Sequence, residues 1–82
     1  MAVDPQASNP QASNPKVDVV VNGETTSLAA GLTLASWLES IGRDARTVAI
    51  EYNGRIVPRG DYGDIAIEAG DRLEVVHFVQ GG

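Results

Sequence analysis

"GLTLASWLESIG", residues 31–42, is the stretch of this sequence whose apolar spacing indicates a helix. Its large apolar residues recur at positions i, i+3, i+4 and i+7, which is the spacing of one helical face. They are Leu34, Trp37, Leu38 and Ile41. Thr33 stands where an N-cap hydroxyl is preferred, and Gly42 can take the left-handed conformation that closes a C-terminus. The prediction is one short helix with a single apolar face to bury.

Strand signals lie on both sides of this helix. Upstream, "KVDVVVN" is followed by Asn22-Gly23 and "ETTSLA". An Asn-Gly turn predicts an antiparallel hairpin because both positions tolerate positive φ. Downstream, "TVAIEY" leads through a second such turn, Asn53-Gly54, to a short "RIV" that Pro58 ends. After turn-rich residues 59–71 comes the last strand, "RLEVVHFV". Five strands and one helix predict an α+β domain whose sheet is covered on one face.

Alternation along the last strand predicts which side chains stay uncovered. Successive strand residues point to opposite faces, so if Leu73 and Val75 face the helix, Val76 and Phe78 lie on the other side. We expect Val20 of the first strand beside them. Apolar patches of this kind often mark partner sites, and Val20, Val76 and Phe78 are interpreted as a docking surface. The alternatives are a bulge that turns these residues inward, or scattered exposed apolar groups without a role.

Size and charge narrow the classes of function. The chain has 82 residues and no cysteine, which indicates one small domain without disulfides, a thiol nucleophile or a cysteine metal site. Its net charge is −5 and its basic residues are scattered, so nucleic acid is not expected as a partner. No apolar run approaches the roughly 20 residues of a membrane span, and no secretory signal is recognisable. These features predict a cytoplasmic protein with no membrane partner.

The first fifteen residues differ from the rest. "MAVDPQASNPQASNP" repeats Gln6–Pro10 as residues 11–15 and offers almost nothing apolar to bury. Such a composition cannot offset the entropy lost on ordering, so residues 1–15 are predicted to be a disordered leader. The predicted division is therefore a leader at 1–15, a domain at 16–79 and a flexible tail at 80–82.

The titratable side chains do not form a catalytic or metal site in the sequence. His77 is the single histidine, and it has no nucleophile or orienting acid in a recognisable motif. The acids Asp61, Asp64, Glu68 and Asp71 lack the spacing of a calcium loop and are interpreted as a solvated turn region. The arginines 55, 59 and 72 could pair with a partner, or with Glu51 and Glu74 across the sheet. No catalytic residue, metal ligand or phosphate-binding loop is predicted.

The combination of several segments resembles the ThiS-type sulfur carriers of thiamine biosynthesis. They are "VNGE", "LTLASWL", "VAIEYNGRIVPR", "AGDRLEVVHFV" and the terminal Gly81-Gly82, which together cover about residues 17–82. Two departures from that pattern are Tyr62, where relatives often carry tryptophan, and the leader. The resemblance implies a ubiquitin-like β-grasp fold with a mixed sheet of about five strands and one main helix on one face.

The resemblance also implies a role for the tail. In such proteins a ThiF-type adenylating enzyme activates the C-terminal carboxylate with ATP, and sulfur from a sulfur-donating enzyme replaces AMP to give a thiocarboxylate. That group then delivers sulfur to a ThiG-type thiazole synthase. On this expectation Gly82 is the modified residue, and Gln80, Gly81 and Gly82 thread into the partner's active site. The chain itself would be no enzyme and would bind no cofactor, since the partner consumes the ATP.

Glycine suits this chemistry because it has no side chain and a freely variable backbone. A side chain next to the carboxylate would hinder its attack on the α-phosphate of ATP and the later entry of sulfur. Two glycines span about 7 Å and adopt backbone angles closed to other residues, which lets them pass a narrow channel. Three other functions stay open: a carrier for molybdopterin synthesis, a ubiquitin-like modifier joined to lysines, and a plain interaction module with an irrelevant tail.

Overall fold

The computed structural model describes residues 15–78, which form five strands, one α-helix and two short 3-10 helices. The strands are β1 (Lys16–Val21), β2 (Glu24–Ala29), β3 (Val48–Tyr52), β4 (Arg55–Val57) and β5 (Arg72–His77). The helix α1 spans Leu34–Ser40, and the 3-10 helices span Ala45–Thr47 and Arg59–Asp64. The predicted α+β class, with five strands and one main helix, is confirmed.

All five strands belong to one mixed sheet in the order β2-β1-β5-β3-β4. The two predicted hairpins are present, and both Asn22 (φ 50°) and Asn53 (φ 51°) have the positive φ that a two-residue turn of this twist requires. β5 lies in the centre, parallel to β1 and antiparallel to β3. The last strand of the domain is therefore held by both halves of the chain.

The helix begins at Leu34, after the predicted N-cap Thr33. It ends at Ser40, one residue before Ile41, the last residue of the predicted apolar face. Thr33 accepts a hydrogen bond from the Ser36 amide (3.0 Å), and the Ser36 hydroxyl accepts one from the Thr33 amide (2.8 Å). Gly42 has φ 75°, as predicted. Ile41 was expected on the buried face, and this is wrong: it lies after the last helical turn and is 47% exposed. Ile41 is the C-cap residue, and the chain leaves the helical direction at the next residue, Gly42, so the Ile41 side chain stays outside the core.

The core lies between α1 and one face of the sheet. Its buried residues are Val19, Leu28, Leu34, Trp37, Leu38, Val48, Ile50, Val57, Tyr62, Ile67 and Leu73. The turn region after β4, predicted to be solvated, supplies two of them, Tyr62 and Ile67. Ala66 forms an isolated bridge with Thr33, so this irregular segment packs beside the start of the helix. The opposite face of the sheet, called the bare face below, has no described element packed on it.

Some predictions fall on residues that the structure does not describe. The leader, apart from Pro15, and the tail residues Gln80, Gly81 and Gly82 lie outside the described range, as does Val79 at the predicted end of the domain. Between residues 15 and 78, no helix is long and apolar enough to cross a membrane.

Candidate docking face and C-terminal tail

The end of β5 projects beyond the first hairpin. β1 pairs with β5 only at Val20–Arg72 and Val21–Leu73. Past that point the Asn22 side chain continues the ladder, because its Oδ1 accepts a hydrogen bond from the Val75 amide (2.8 Å). On the other side β3 accompanies β5 to its end, where the Phe78 amide donates to the Thr47 carbonyl (2.9 Å). Within the described residues, the backbone of the last residues of β5 and of Phe78 is thus paired with β3 and with Thr47 just before it.

Val76 and Phe78 lie on this projecting segment and are exposed. Val76 pairs with Ala49 of β3, and its side chain is 59% exposed, while that of Phe78 is 52% exposed. No bulge turns them inward. The expected neighbour Val20 is not beside them, because it pairs with Arg72, four residues or about 13 Å before Val76 along the strand. The structure brings Val76 and Phe78 together and leaves Val20 apart from both.

The bare face has a further apolar residue that the sequence analysis missed. Ile56 of β4 is the most exposed large apolar side chain of the described chain, at 75%. It pairs with Glu51, which in turn pairs with Glu74 of β5. A shallow groove of about 220 Å³ is lined by these residues. Its lining is Ala49, Ile50, Glu51, Ile56, Glu74 and Val76. The second Asn-Gly turn sets Ile56 opposite Glu51. This hairpin register can be read from the sequence, and it would have predicted that Ile56 lies on the bare face.

The arginines do not neutralise the acids of the sheet. Among residues 15–78, the one ion pair joins Arg46 to Asp44 (2.8 Å), next to the first 3-10 helix. The Arg46 guanidinium and amide bind the carboxylate of Asp44 and lower its pKa to about 2. The pairing of Arg55, Arg59 or Arg72 with Glu51 or Glu74, left open by the sequence, is therefore not made within the described chain.

His77 does not join any site in the structure. It pairs with Val48 of β3 and lies at the exposed end of the strand, beyond the core. Within the described residues, no three side chains of histidine, aspartate or glutamate converge in a way that could hold a metal ion.

A hydrogen-bonded cluster around Asp71 fixes the start of β5. Asp71 accepts from the Tyr52 hydroxyl (2.6 Å), the Asn53 side-chain amide (3.1 Å) and the Glu68 backbone amide (2.8 Å). Asn53 also accepts from the Arg72 amide (2.8 Å). The interpretation of Asp71 as part of a merely solvated turn is therefore wrong, since its carboxylate joins the second hairpin to the last strand.

These contacts shift two pKa values. Burial alone raises the pKa of Asp71, but the hydrogen bonds from Tyr52, Glu68 and Asn53 outweigh it and lower the pKa below the ordinary 3.8. The same carboxylate, accepting from the phenol, raises the pKa of Tyr52 to about 12. A carboxyl group whose pKa is lowered by folding stabilises the fold at pH values above its unfolded-state pKa. That contribution is lost as the pH falls through its folded-state pKa.

We expect Asp71→Asn to lower the free energy of unfolding by about 1–2 kcal/mol at pH 7, because a charged acceptor of three hydrogen bonds is lost in a partly exposed cluster. The difference in unfolding free energy between wild type and variant should start to narrow below the unfolded-state pKa of an aspartate, about 3.9, and should vanish as the pH falls through the lowered folded-state pKa, where wild-type Asp71 loses its charge. Urea unfolding at several pH values measures both effects. Asp61→Asn is the matched control with the same charge change, and an equal loss in that variant would contradict the assignment.

Comparison with known proteins identifies the family. The family model described as "ThiS family" matches residues 19–82, which includes the second half of β1, every later element and the two final glycines. The chain belongs to the ThiS family. The resemblance seen in the sequence is thereby confirmed, and so is the ubiquitin-like β-grasp fold.

Solved ThiS structures have the same fold. The crystal structure of a thiamine biosynthesis protein (ThiS) from Geobacter metallireducens aligns with a TM-score of 0.69 and 26% identity, over 80% of this chain and 100% of that one. The solution structure of a thiamine biosynthesis protein from the same organism aligns with the same TM-score and identity, over 80% of this chain and 88% of that one. These two structures agree with the family assignment of this ThiS chain.

The similar curated proteins are much longer than this ThiS chain. A thiazole synthase of Paramagnetospirillum magneticum is 42% identical over 64 residues, covering 78% of this chain and 20% of the relative. A thiazole synthase of Magnetococcus marinus is 42% identical over 62 residues, covering 76% and 19%. The chain thus spans about a fifth of the curated relatives that it matches. Those two synthases contain a ThiS-like segment within a larger polypeptide.

Proposed function

We propose that this chain is a sulfur carrier whose Gly82 carboxylate is converted to a thiocarboxylate that supplies sulfur for the thiazole of thiamine. The observation that carries the proposal is the family match through Gly82. The similarity to two thiazole synthases supports a ThiG-type synthase as the acceptor. The exposed Val76 and Phe78, immediately before the tail, support docking of the body beside the partner's active site.

The proposed chemistry uses the tail as a substrate for partner enzymes. The Gly82 carboxylate attacks the α-phosphate of ATP on a ThiF-type adenylating enzyme, pyrophosphate leaves, and an acyl adenylate forms. Hydrosulfide supplied by a sulfur-donating enzyme then attacks the acyl carbon, the bond from that carbon to the AMP oxygen breaks, AMP leaves, and the thiocarboxylate remains on Gly82. Splitting a difficult acyl substitution into two steps through an activated intermediate lowers each barrier. In this scheme the carrier supplies no catalytic side chain and binds no cofactor.

The body of the domain supplies affinity that a tail of three residues cannot. Ordering each mobile side chain or backbone segment on binding costs free energy, so tight binding is achieved more readily by preformed surface. Val76 and Phe78 are held by β3 in the sheet, with the pairing Val76–Ala49 and the bond between the Phe78 amide and Thr47. The tail then reaches a buried active site while the sheet stays outside it. Val20 lies on the same face but at a different position, and contributes to the docking surface only if the partner covers that region as well.

Intact mass spectrometry tests the proposal. The full chain is incubated with its adenylating enzyme, ATP and a sulfur source, with reactions lacking ATP or the enzyme as controls. We expect a mass gain that matches the replacement of one oxygen by sulfur, located at the C-terminal glycine by fragmentation. An unchanged mass beside an enzyme shown to be active on another carrier would contradict the proposal. High-mass conjugates on a denaturing gel would favour the modifier function instead.

A further inference from the structure

Two glutamates of like charge stand directly opposite each other in the middle of the sheet. Glu51 of β3 and Glu74 of β5 are partners in the antiparallel register. The flanking bonds, from the Asn53 amide to the Arg72 carbonyl (2.8 Å) and from the Phe78 amide to the Thr47 carbonyl (2.9 Å), follow the same register. Opposed like charges on one face destabilise a sheet. This position therefore carries a negative charge at a cost to the stability of the domain.

Neither glutamate forms an ion pair with another residue of the described domain. The ion pair between Arg46 and Asp44 involves neither of them, and within residues 15–78 there is no other. Arg72 lies on the same face of β5, two residues before Glu74, but forms no ion pair with it. Both carboxylates are therefore available to a cation from outside the described domain.

Exposed apolar side chains flank the acidic pair. Ile56 is the cross-strand partner of Glu51, and Val76 follows two residues after Glu74 on the same face. Together with Ala49 and Ile50 these four residues line the shallow groove of about 220 Å³, here called the acidic groove. A guanidinium or ammonium head can meet the two carboxylates while its alkyl stem covers the neighbouring apolar groups. The acidic groove thus offers carboxylates for the charged head of a partner's basic side chain and apolar surface for its alkyl stem.

We propose that the acidic groove binds a basic side chain on the surface of the thiazole synthase, with apolar residues of the synthase packed on Ile56 and Val76. This inference rests on the proposed function. It adds where on the domain the synthase makes contact and that this contact is acidic on the carrier side. The groove lies close to the last described residue, since Val76 is two residues before Phe78. The synthase is the chosen partner because two synthases contain a similar segment in their own chain, 42% identical to this one.

The test is the affinity of the full-length chain for the thiazole synthase of the same organism, measured by calorimetry at low and high salt. For Glu51→Gln combined with Glu74→Gln we expect at least about tenfold weaker binding at low salt, and a much smaller weakening by salt than in wild type. The matched control combines Glu39→Gln and Glu68→Gln, which changes the net charge equally away from the groove. It should bind like wild type.

A folding measurement separates loss of contact from loss of structure. Because removing the opposed charges relieves repulsion, the melting temperature of the groove variant should equal or exceed that of wild type. Equal synthase affinity for wild type and groove variant would overturn the inference, and so would an equal loss in the control. A defect confined to adenylation would also overturn it, since the groove would then serve the adenylating enzyme. Wild type that gains sulfur but does not bind the synthase overturns this inference and leaves standing the proposed conversion of the Gly82 carboxylate to a thiocarboxylate.

Discussion

Replacing Gly81 with valine should reduce the rate of thiocarboxylate formation by about 100-fold or more, because a displacement of about 1 Å in a reacting group has an effect of that size. The added branched side chain stands one residue before the acyl carbon of Gly82. It blocks the backbone angles that glycine alone adopts freely and widens the segment that must enter the partner's pocket. The rate is measured by intact mass at early times with limiting adenylating enzyme.

Gly60→Val provides the control for this substitution. Gly60 lies in the second 3-10 helix, and a Cβ added there meets no atom within 4 Å. The control should therefore load with sulfur at the wild-type rate, and both variants should keep the wild-type melting temperature. A Gly81→Val protein that loads as fast as wild type would show that the tail does not enter a confined site.

Ile50→Ala should lower the free energy of unfolding by about 2–5 kcal/mol, as large-to-small changes in packed cores do. Ile50 is fully buried in the middle of β3, where it pairs with Val57 on one side and Val75 on the other. A domain of this size has a total stability of only about 3–10 kcal/mol. We therefore expect the melting temperature to fall by more than about 10 °C.

The same chemical change on the other face of the sheet provides the comparison. Ile56→Ala removes the same atoms from a side chain that is 75% exposed, and should change the unfolding free energy by no more than about 0.5 kcal/mol. Thermal and urea unfolding of the two variants side by side measure the difference. Similar losses of unfolding free energy in both variants would contradict the claim that α1 covers one face of the sheet and leaves the other face bare.

The local parts of this fold follow from short-range chemistry and could be predicted. The two Asn-Gly turns set the register of both hairpins, and the Thr33 hydroxyl and Gly42 mark the ends of the helix. Such signals act within a few residues, where backbone conformation depends mostly on the residue itself and its neighbours. Ile41 shows the limit, because periodicity alone does not indicate at which residue the helical turn stops.

The long-range parts could not be predicted, since they depend on which strands meet. The parallel pairing of β1 with β5 separates Val20 from Val76, although both lie on the same face. The contact of Tyr52 with Asp71 and the burial of Tyr62 also arise from pairings across fourteen or more residues. No local pattern encodes them. For the same reason, the Glu51–Glu74 pair was visible as two separate acids but not as one cluster.

The most direct test of the account uses a chain that ends in a carboxamide at Gly82, prepared by semisynthesis, together with a semisynthetic chain that keeps the free acid. Both are supplied with the adenylating enzyme, ATP, a sulfur source and the thiazole synthase, and the thiazole product is quantified. The amide keeps the whole folded domain, so we expect it to bind the synthase but to gain no sulfur and to support no thiazole formation. Thiazole formation by the amide at the rate of the free acid would contradict the claim that the reactive group is the terminal carboxylate.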